Sequence, residues 1–338
     1  MKKFVSILLS ACMILSLAAC GGSTSGDKTD GSGSSNAPAG IEHPKSIVIC
    51  ASTAGNSWYS SAVKISELMM KEWPDMSVTV IEGGGDANID VVNGGTDAQL
   101  GFTSSTSIIP ALAGENEKVT DASNVVPLMS VSVSYAQTAV LASSDINDYP
   151  DLAGKRVAAG TYGQVAMYTS NALLEAYGMS SADLSGGDYQ VVSPSEYPDQ
   201  FSDGHLDACH INGNLPLATL VQIDSVSPIR ILQPSEEAMN YILEKYPSFY
   251  KVHVDGGYYA GQPDAMDLLA YDGMLIANKD LPEEFLARIV EIVCEANEAG
   301  ELSDVQSVFG RAYWKDCGTF ITADNTVPAV YEMIQSHQ

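Results

Sequence analysis

From residue 46 onward the chain alternates short, β-branched apolar runs with stretches of helical periodicity, and this alternation constrains its fold more than any other feature. Residues 46–51 (SIVICA) read as a buried strand, and 53–57 as a turn. A helix is expected over 58–73, with Ala62, Ile65, Leu68 and Met69 on one face and Pro74 stopping it. Residues 78–82 give a second strand, closed by Gly83, Gly84 and Gly85. A short helix over 88–93, a strand over 99–103 and a helix over 107–114 follow. The second half repeats the rhythm: strand 135–142, a short helix or turn at 149–155, strand 156–160, helix 165–177, strand 190–192, short helix 195–203, strand 208–211. No solenoid-type repeat accompanies it. The expected fold class is therefore α/β with two lobes, each a mainly parallel sheet flanked by helices. Ligand is expected in the interlobe cleft, at the carboxyl ends of the strands.

Charge narrows the function. The 338 residues carry 16 Lys+Arg against 42 Asp+Glu, a formal net charge of −26. Arginine occurs only as Arg156, Arg230, Arg288 and Arg311, too sparse for a nucleic-acid phosphate footprint, so no nucleic-acid partner is expected. The same balance argues against docking to anionic lipid through a basic face. A hydrophobic content of 45% supports a folded core rather than disorder.

The first forty residues read as an address and a tether. Lys2 and Lys3 precede an apolar run over 4–17, which ends in Leu17-Ala18-Ala19-Cys20. This is a secretory signal over residues 1–19, too short for a spanning helix, and the Cys directly after Leu-Ala-Ala resembles a bacterial lipobox. Cleavage before Cys20 and lipidation of its thiol are expected, anchoring the chain to the outer face of the cytoplasmic membrane in the bacterial cell envelope. Cleavage removes Lys2 and Lys3 and no acid, so the mature chain is more acidic still. Residues 20–40 hold the lipidated Cys and a Gly/Ser-rich linker, with a contour of about 70 Å and an r.m.s. span of roughly 25 Å. Cys50, Cys209, Cys294 and Cys317 remain, without metal-site spacing, and read as buried thiols, with a Cys294–Cys317 bridge as the alternative.

Several motifs carry a family resemblance. They are Thr53-Ala54-Gly55-Asn56-Ser57-Trp58-Tyr59, Glu82-Gly83-Gly84-Gly85-Asp86-Ala87-Asn88-Ile89, Asp151-Leu152-Ala153-Gly154-Lys155-Arg156-Val157, Asp203-Gly204-His205-Leu206-Asp207-Ala208, Lys245-Tyr246-Pro247 and Asp280-Leu281-Pro282-Glu283-Glu284. In order and spacing, over nearly all of residues 46–335, the chain resembles the TAXI family, the solute-binding subunits of tripartite (TRAP) transporters. It departs from that family at Gly85, where a serine is usual, and near the C-terminus, where His-Pro-Gly-Ala is missing. The resemblance implies a periplasmic-binding-protein-like fold, capture of a small solute such as an amino acid or carboxylate, lobe closure, and delivery to a TRAP permease. It implies no cofactor, no catalysis and a monomer. Lobe 1 is expected at 41–136 plus 260–338, including the C-terminal helices, and lobe 2 at 137–259. Crossings between lobes are expected near 134–138 and 254–261.

The loops at the strand ends supply the candidate ligand-binding residues: Asn56, Ser57, Trp58, Tyr59, Gly85, Asp86, Ser104, Ser105, Thr106, Thr161, Tyr162, Gln164 and Asn212, with Tyr135 at the crossing. Glycine admits close backbone approach, and helix starts present free N–H groups. The alternative for each glycine is a tight turn, and for Trp58 and Tyr59 core packing. No Arg or Lys stands in these loops, which points to a zwitterionic or weakly anionic solute. Two rival classes exist. Ser61-Ala62-Val63-Lys64 fits a Ser-x-x-Lys nucleophile pattern, but lacks its Ser-Asp-Asn and Lys-Thr-Gly partners. Asp203, His205, Asp207, Cys209 and His210 could serve a metal-binding lipoprotein, although strand alternation puts Cys209 and His210 on opposite faces. A substrate-binding lipoprotein of an ABC-type importer is a further alternative.

Overall fold

A computed structural model describes residues 40–338, apart from Gly55, Gly163 and the side chain of Gln306. The expected signal, Cys20 and nearly all of the linker lie outside the described residues. In chain order the elements are β1 (Ser46–Cys50), α1 (Ser57–Glu72), β2 (Ser77–Ile81), α2 (Gly85–Gly94), β3 (Leu100–Ser104), α3 (Ser105–Leu112), β4 (Val125–Leu141), β5 (Val157–Ala158) and α4 (Val165–Ala176). Then come α5 (Tyr197–Ser202), β6 (Ala208–Gly213), α6 (Ala218–Val226), β7 (Ile229–Ile231), α7 (Glu236–Lys245), β8 (Tyr250–Val254), β9 (Met266–Asn278), α8 (Glu283–Glu298) and α9 (Pro328–Ser336). Among the described residues no helix is long and apolar enough to cross a membrane.

The strands form one sheet in the order β2-β1-β3-β9-β4-β6-β5, with β7 added to β4 and β8 to β9. At one end β1 pairs in parallel with β2 and with β3. At the other, β5 pairs in parallel with β6. The long strands β4 and β9 run antiparallel to each other and join the two parallel sets. Helices flank both, giving the two-lobed α/β architecture expected.

Side-chain alternation divides the core. One cluster draws Ile47, Ile49, Phe102, Val131, Met274, Ile276, Phe285 and Ile289 together. In the second lobe Val157, Ala159, Ala208, Val140 and Leu269 pack on one face of the sheet, while Ala158, Cys209, Ile211, Ala139 and Leu268 pack on the other. Neighbouring strand residues point to opposite faces, so one sheet serves two cores. Apolar side chains pass from one lobe's core to the other's between Val131 and Ala136 on β4, and between Tyr271 and Met274 on β9. The return crossing therefore lies in β9. Val254 and Tyr259, from the stretch where it was expected, sit inside the second lobe's core. Register shifts at Pro127/Met129 and Ser130/Ser132 bend β4 before it crosses, and the first accommodates a proline within a central strand. The amphipathic helix α8 buries Phe285, Ile289, Val290 and Val293 in the first-lobe core, each contributing roughly 1.5–3 kcal/mol.

Cys50, Cys209, Cys294 and Cys317 are free and buried. Burial pushes the Cys50 thiol up to about 12, and the Cys294 thiol is raised first by its hydrogen bond with Cys317.

Candidate functional site

The first-lobe wall is set by a buried amide. Asn88 of α2 donates from Nδ2 to the carbonyls of Ala51 (2.6 Å) and Phe102 (2.7 Å), and its Oδ1 accepts the Gly84 N–H (2.9 Å). One side chain thus ties the ends of β1 and β3 to the glycine turn. Gly83 must be glycine here, because a Cβ would fall 2.1 Å from Asn88 Oδ1. Strand β1 lies between β2 and β3, so its carboxyl end is a switch point where a crevice opens. Ser52 follows it directly. Asn56 caps α1, its Oδ1 accepting the Trp58 N–H at 3.2 Å, and the first turn of α1 carries no acid. Trp58 lies over Gly273 of β9, where a Cβ would sit 2.6 Å from the indole Nε1 and 2.4 Å from Ser132 Oγ.

The second-lobe wall is the end of β6. Gln137 Nε2 donates to the Asn214 carbonyl at 3.1 Å, and its Oε1 accepts from Tyr259 Oη at 2.7 Å. That phenol oxygen in turn accepts the Leu217 N–H at 3.0 Å, fixing the loop after β6. Two residues before Asn212, fully buried His210 lies between Thr138 and Thr169, and burial pushes its imidazole down to about 3, leaving it neutral.

Between these walls is a cavity of about 380 Å³. Ser52, Asn56, Ser57 and Trp58 line it from the first lobe; Asn212, Gly213, Asn214 and Leu217 from the second; Ser132, Val133 and Ser134 from β4 at the crossing; and Val308 from the C-terminal segment. None of these side chains is charged. Two of them hold buried polar atoms with no partner in hydrogen-bonding geometry: Ser52 Oγ and Asn212 Nδ2. Ser134 and Asn212 also flank the phenol of Tyr271, which burial raises.

Of the expected ligand residues, Asn56, Ser57, Trp58 and Asn212 meet at this cavity. Asp86, Thr106 and Gln164 line another, of about 290 Å³, together with Glu115, Glu117, Lys118 and Tyr168. Asp86 is already engaged there, accepting from Asn116 Nδ2 at 3.0 Å with Lys118 3.8 Å away. Gly85 opens α2. Tyr59 packs half-buried on the first-lobe core. Ser104 Oγ is bonded to Thr106 and Ser107 at the start of α3. Ser105 Oγ donates to the Ser248 carbonyl (2.9 Å) and accepts the Asp272 N–H (3.1 Å). The Thr161 N–H donates to Gln164 Oε1, and Tyr162, 67% exposed, donates to Asp188 at 3.0 Å. Half-buried Tyr135 pairs with Gly213 and Ala270 at the crossing. A further cavity, about 600 Å³, lies between the α3 end and the 324–326 segment, within the first lobe.

Ser52 and Ser132 stand outside the residues expected from sequence, whereas Ser134 lies at an expected crossing and Asn214 ends the expected ligand loop that holds Asn212. The run Ser130-Val131-Ser132-Val133-Ser134 alternates polar and apolar residues, and that period would have marked one face of a strand facing the cleft. A cation does stand near the crossing. Arg311 donates from Nε to fully buried Asp272 (3.2 Å) and from Nη1 to Asp316 (3.1 Å), and lies over the Tyr250 ring at 4.7 Å. Tyr250 donates to the other Asp272 oxygen. Burial raises the Asp272 carboxyl despite the arginine.

The rival constellations are engaged elsewhere. Ser61 Oγ donates to the Ser57 and Val308 carbonyls, while Lys64 pairs with Glu67 and Asp304. Asp207 takes Arg156 Nε (2.9 Å), Nη2 (2.6 Å) and backbone N–H (2.8 Å), which lowers its carboxyl. The Asp-Leu-x-Gly-Lys-Arg and Asp-Gly-x-x-Asp-Ala motifs are thus the two halves of one bidentate brace. Among the described residues no group of three or more His, Cys, Asp or Glu could hold a metal ion.

A model of the NMT1-like family matches residues 49–312. The periplasmic aliphatic sulphonate binding protein SsuA from Escherichia coli is similar in structure, with 14% identity and a TM-score of 0.50, covering 87% of this chain and 84% of that one. PhnD1 from Prochlorococcus marinus, solved in complex with methylphosphonate, is similar with 12% identity and a TM-score of 0.50, covering 79% and 92%. The likeness is one of fold, a two-lobed α/β architecture.

Proposed function

The chain belongs to the NMT1-like family, and we propose that it is an extracytoplasmic solute-binding protein that closes two lobes around one small organic solute. The observation that carries this reading is the uncharged cavity where the two lobes meet, with an unpartnered donor on each wall. Its volume of about 380 Å³ suits a molecule of amino-acid size. Lobe 1 takes residues 41–133 and 273–338, lobe 2 takes 134–272, and the crossing segments of β4 and β9 are the hinge. Packing of the clusters supports these boundaries. Lipidation of Cys20 and the linker hold the protein at the membrane, and the motif order supports delivery to a TRAP-type permease driven by an ion gradient.

The solute is an amino acid or a weakly anionic carboxylate. Hydroxyls, amides and the α1 N-terminus can hold one carboxylate, but no lysine or arginine lines the cavity to neutralise a dianion. A thermal-shift panel tests this with L-amino acids, mono- and dicarboxylates, alkanesulfonates and methylphosphonate. Stabilisation by amino acids or monocarboxylates is expected, about 2.7 kcal/mol at one hundred times Kd. Stabilisation by methylphosphonate or dicarboxylates alone overturns the ligand class. Mass spectrometry of the membrane fraction, with a Cys20→Ala control, tests the anchor: an unlipidated mature chain rejects it.

A further inference from the structure

Behind Asn212 runs a chain of buried hydrogen bonds that the cleft itself does not explain. His210 lies two residues earlier on β6, so it shares a strand face with Asn212. Its Nδ1 is 2.8 Å from Thr138 Oγ1, and Thr138 meets the Tyr149 phenol at 3.1 Å. Its Nε2 is 2.7 Å from Thr169 Oγ1, and Thr169 donates to Asn212 Oδ1 at 3.0 Å. Thr169 also reaches the Ala166 carbonyl at 3.0 Å, which competes for the same proton.

A neutral imidazole has one N–H and one acceptor nitrogen, so this chain has two self-consistent directions. With the proton on Nε2, His210 donates to Thr169, which leaves the Thr169 proton for Asn212 Oδ1. Nδ1 then accepts from Thr138, and Thr138 accepts from Tyr149. With the proton on Nδ1, Nε2 takes the Thr169 proton, and Thr169 must accept from the Asn212 amide instead. That would turn the Asn212 carbonyl toward the cavity. The structure has Oδ1 on Thr169 and Nδ2 beside the Tyr271 phenol, without a partner in hydrogen-bonding geometry, matching the first direction.

We propose that His210, acting through Thr169, is a positioning residue that holds the Asn212 amide donor toward the cleft, so that the solute presents a hydrogen-bond acceptor there. Ser52 Oγ, unpartnered on the facing wall, supplies a second donor to the same group. A carboxylate or amide oxygen fits, and an ammonium does not. The proposal rests on the cavity being the solute site, and it adds which end of the solute meets β6.

Two measurements on the mature chain separate the relay from the site. The first, histidine ¹⁵N NMR without solute, should show His210 protonated on Nε2 and unchanged from pH 5 to 8. An Nδ1–H tautomer, or titration in that range, overturns the proposal whatever the cleft binds. The second is calorimetry with L-alanine and L-alaninol. The wild type should bind the acid and not the alcohol. Thr169→Val should weaken L-alanine binding about tenfold, with Thr169→Ser restoring it. Equal affinity in Thr169→Val overturns the relay. If the wild type does not bind L-alanine, the amino-acid reading of the site fails, and the tautomer alone decides the relay.

Discussion

Where the crossing strands meet the C-terminal segment, Asp272, Arg311 and Tyr250 form a buried charged cluster. Within the second lobe, His210, Thr138, Thr169 and Tyr149 form a neutral one. Each sits beside β4 and β9 where the lobes join, yet they use burial differently. A buried carboxylate costs several kcal/mol of desolvation, and only its partners make it tolerable. A buried neutral imidazole costs little at neutral pH, and its value is direction: each hydrogen bond fixes the next. The charged cluster therefore acts as a clamp between β9, β8 and the C-terminal segment, and the neutral one as an orienting device for the cleft. Their acid responses are opposite in sign. The Asp272 carboxyl is raised, so its ionisation removes stability as pH rises from the unfolded value through the folded one. The His210 imidazole is lowered, so the stability it contributes is complete above the unfolded value of 6.5 and is lost as pH falls toward about 3.

The largest effect expected breaks the clamp. Arg311→Met leaves Asp272 buried without its cation and should cost about 3–5 kcal/mol at pH 7 in chemical denaturation. The cost should shrink toward pH 5, because the orphaned carboxyl takes up a proton rather than remain charged. Adding Asp272→Asn to Arg311→Met should recover most of the loss, giving a strong coupling energy in the double-mutant cycle. A loss below about 1 kcal/mol at pH 7 would mean that the arginine is ornamental.

The neutral cluster is tested by acid. From pH 7 to pH 4 the unfolded chain binds a proton at His210 that the folded chain does not, worth about 3 kcal/mol. In His210→Gln that contribution is absent. The variant should be less stable at pH 7, yet lose about 3 kcal/mol less than the wild type on the way to pH 4. The carboxylates titrate in both proteins and cancel. Parallel acid limbs would show that the imidazole is not held neutral, and the contrast between the clusters would collapse.

Physical period explains what the sequence shows of this fold and what it hides. The run SIVICA and the helix ending before Pro74 follow from local rules, and β1 and α1 appear within a residue or so of expectation. Local pattern marks only the second half of the 17-residue strand β4, because Pro127 and the serines of the 130–134 run interrupt its apolar character. They are tolerated because Pro127 sits at a register shift and Ser132 and Ser134 line the cleft. Strand β9 carries Asp267 and Asp272 inside an apolar run, and its aspartate at the crossing is permissible only with Arg311, 39 residues further along the chain. No local pattern predicts that partner. For the site, the Gly- and amide-rich ends of β1 and β6 were legible because backbone approach has a composition. The role of His210 was not, since a lone histidine in an apolar strand looks the same whether it packs or orients.

The smallest effect expected separates the two walls of the cleft. Asn212 has Thr169 and His210 behind it, whereas Ser52, 9% exposed, has nothing: its Oγ is buried without a partner. Removing that hydroxyl breaks no hydrogen bond within the protein and relieves an unsatisfied donor. Ser52→Ala should therefore leave solute-free stability within about 0.5 kcal/mol of the wild type. Its cost falls on the complex. If Ser52 donates to the acceptor group that Asn212 holds, the variant should bind solute about five- to tenfold more weakly, near 1 kcal/mol. Asn212→Ala should do the same to binding, and also lose about 1 kcal/mol of solute-free stability through the Thr169 hydrogen bond. Denaturation without solute and calorimetry with it measure the two terms separately. A Ser52→Ala chain that is less stable alone but binds normally would make Ser52 a packing residue, and would leave the acceptor group to the second-lobe wall.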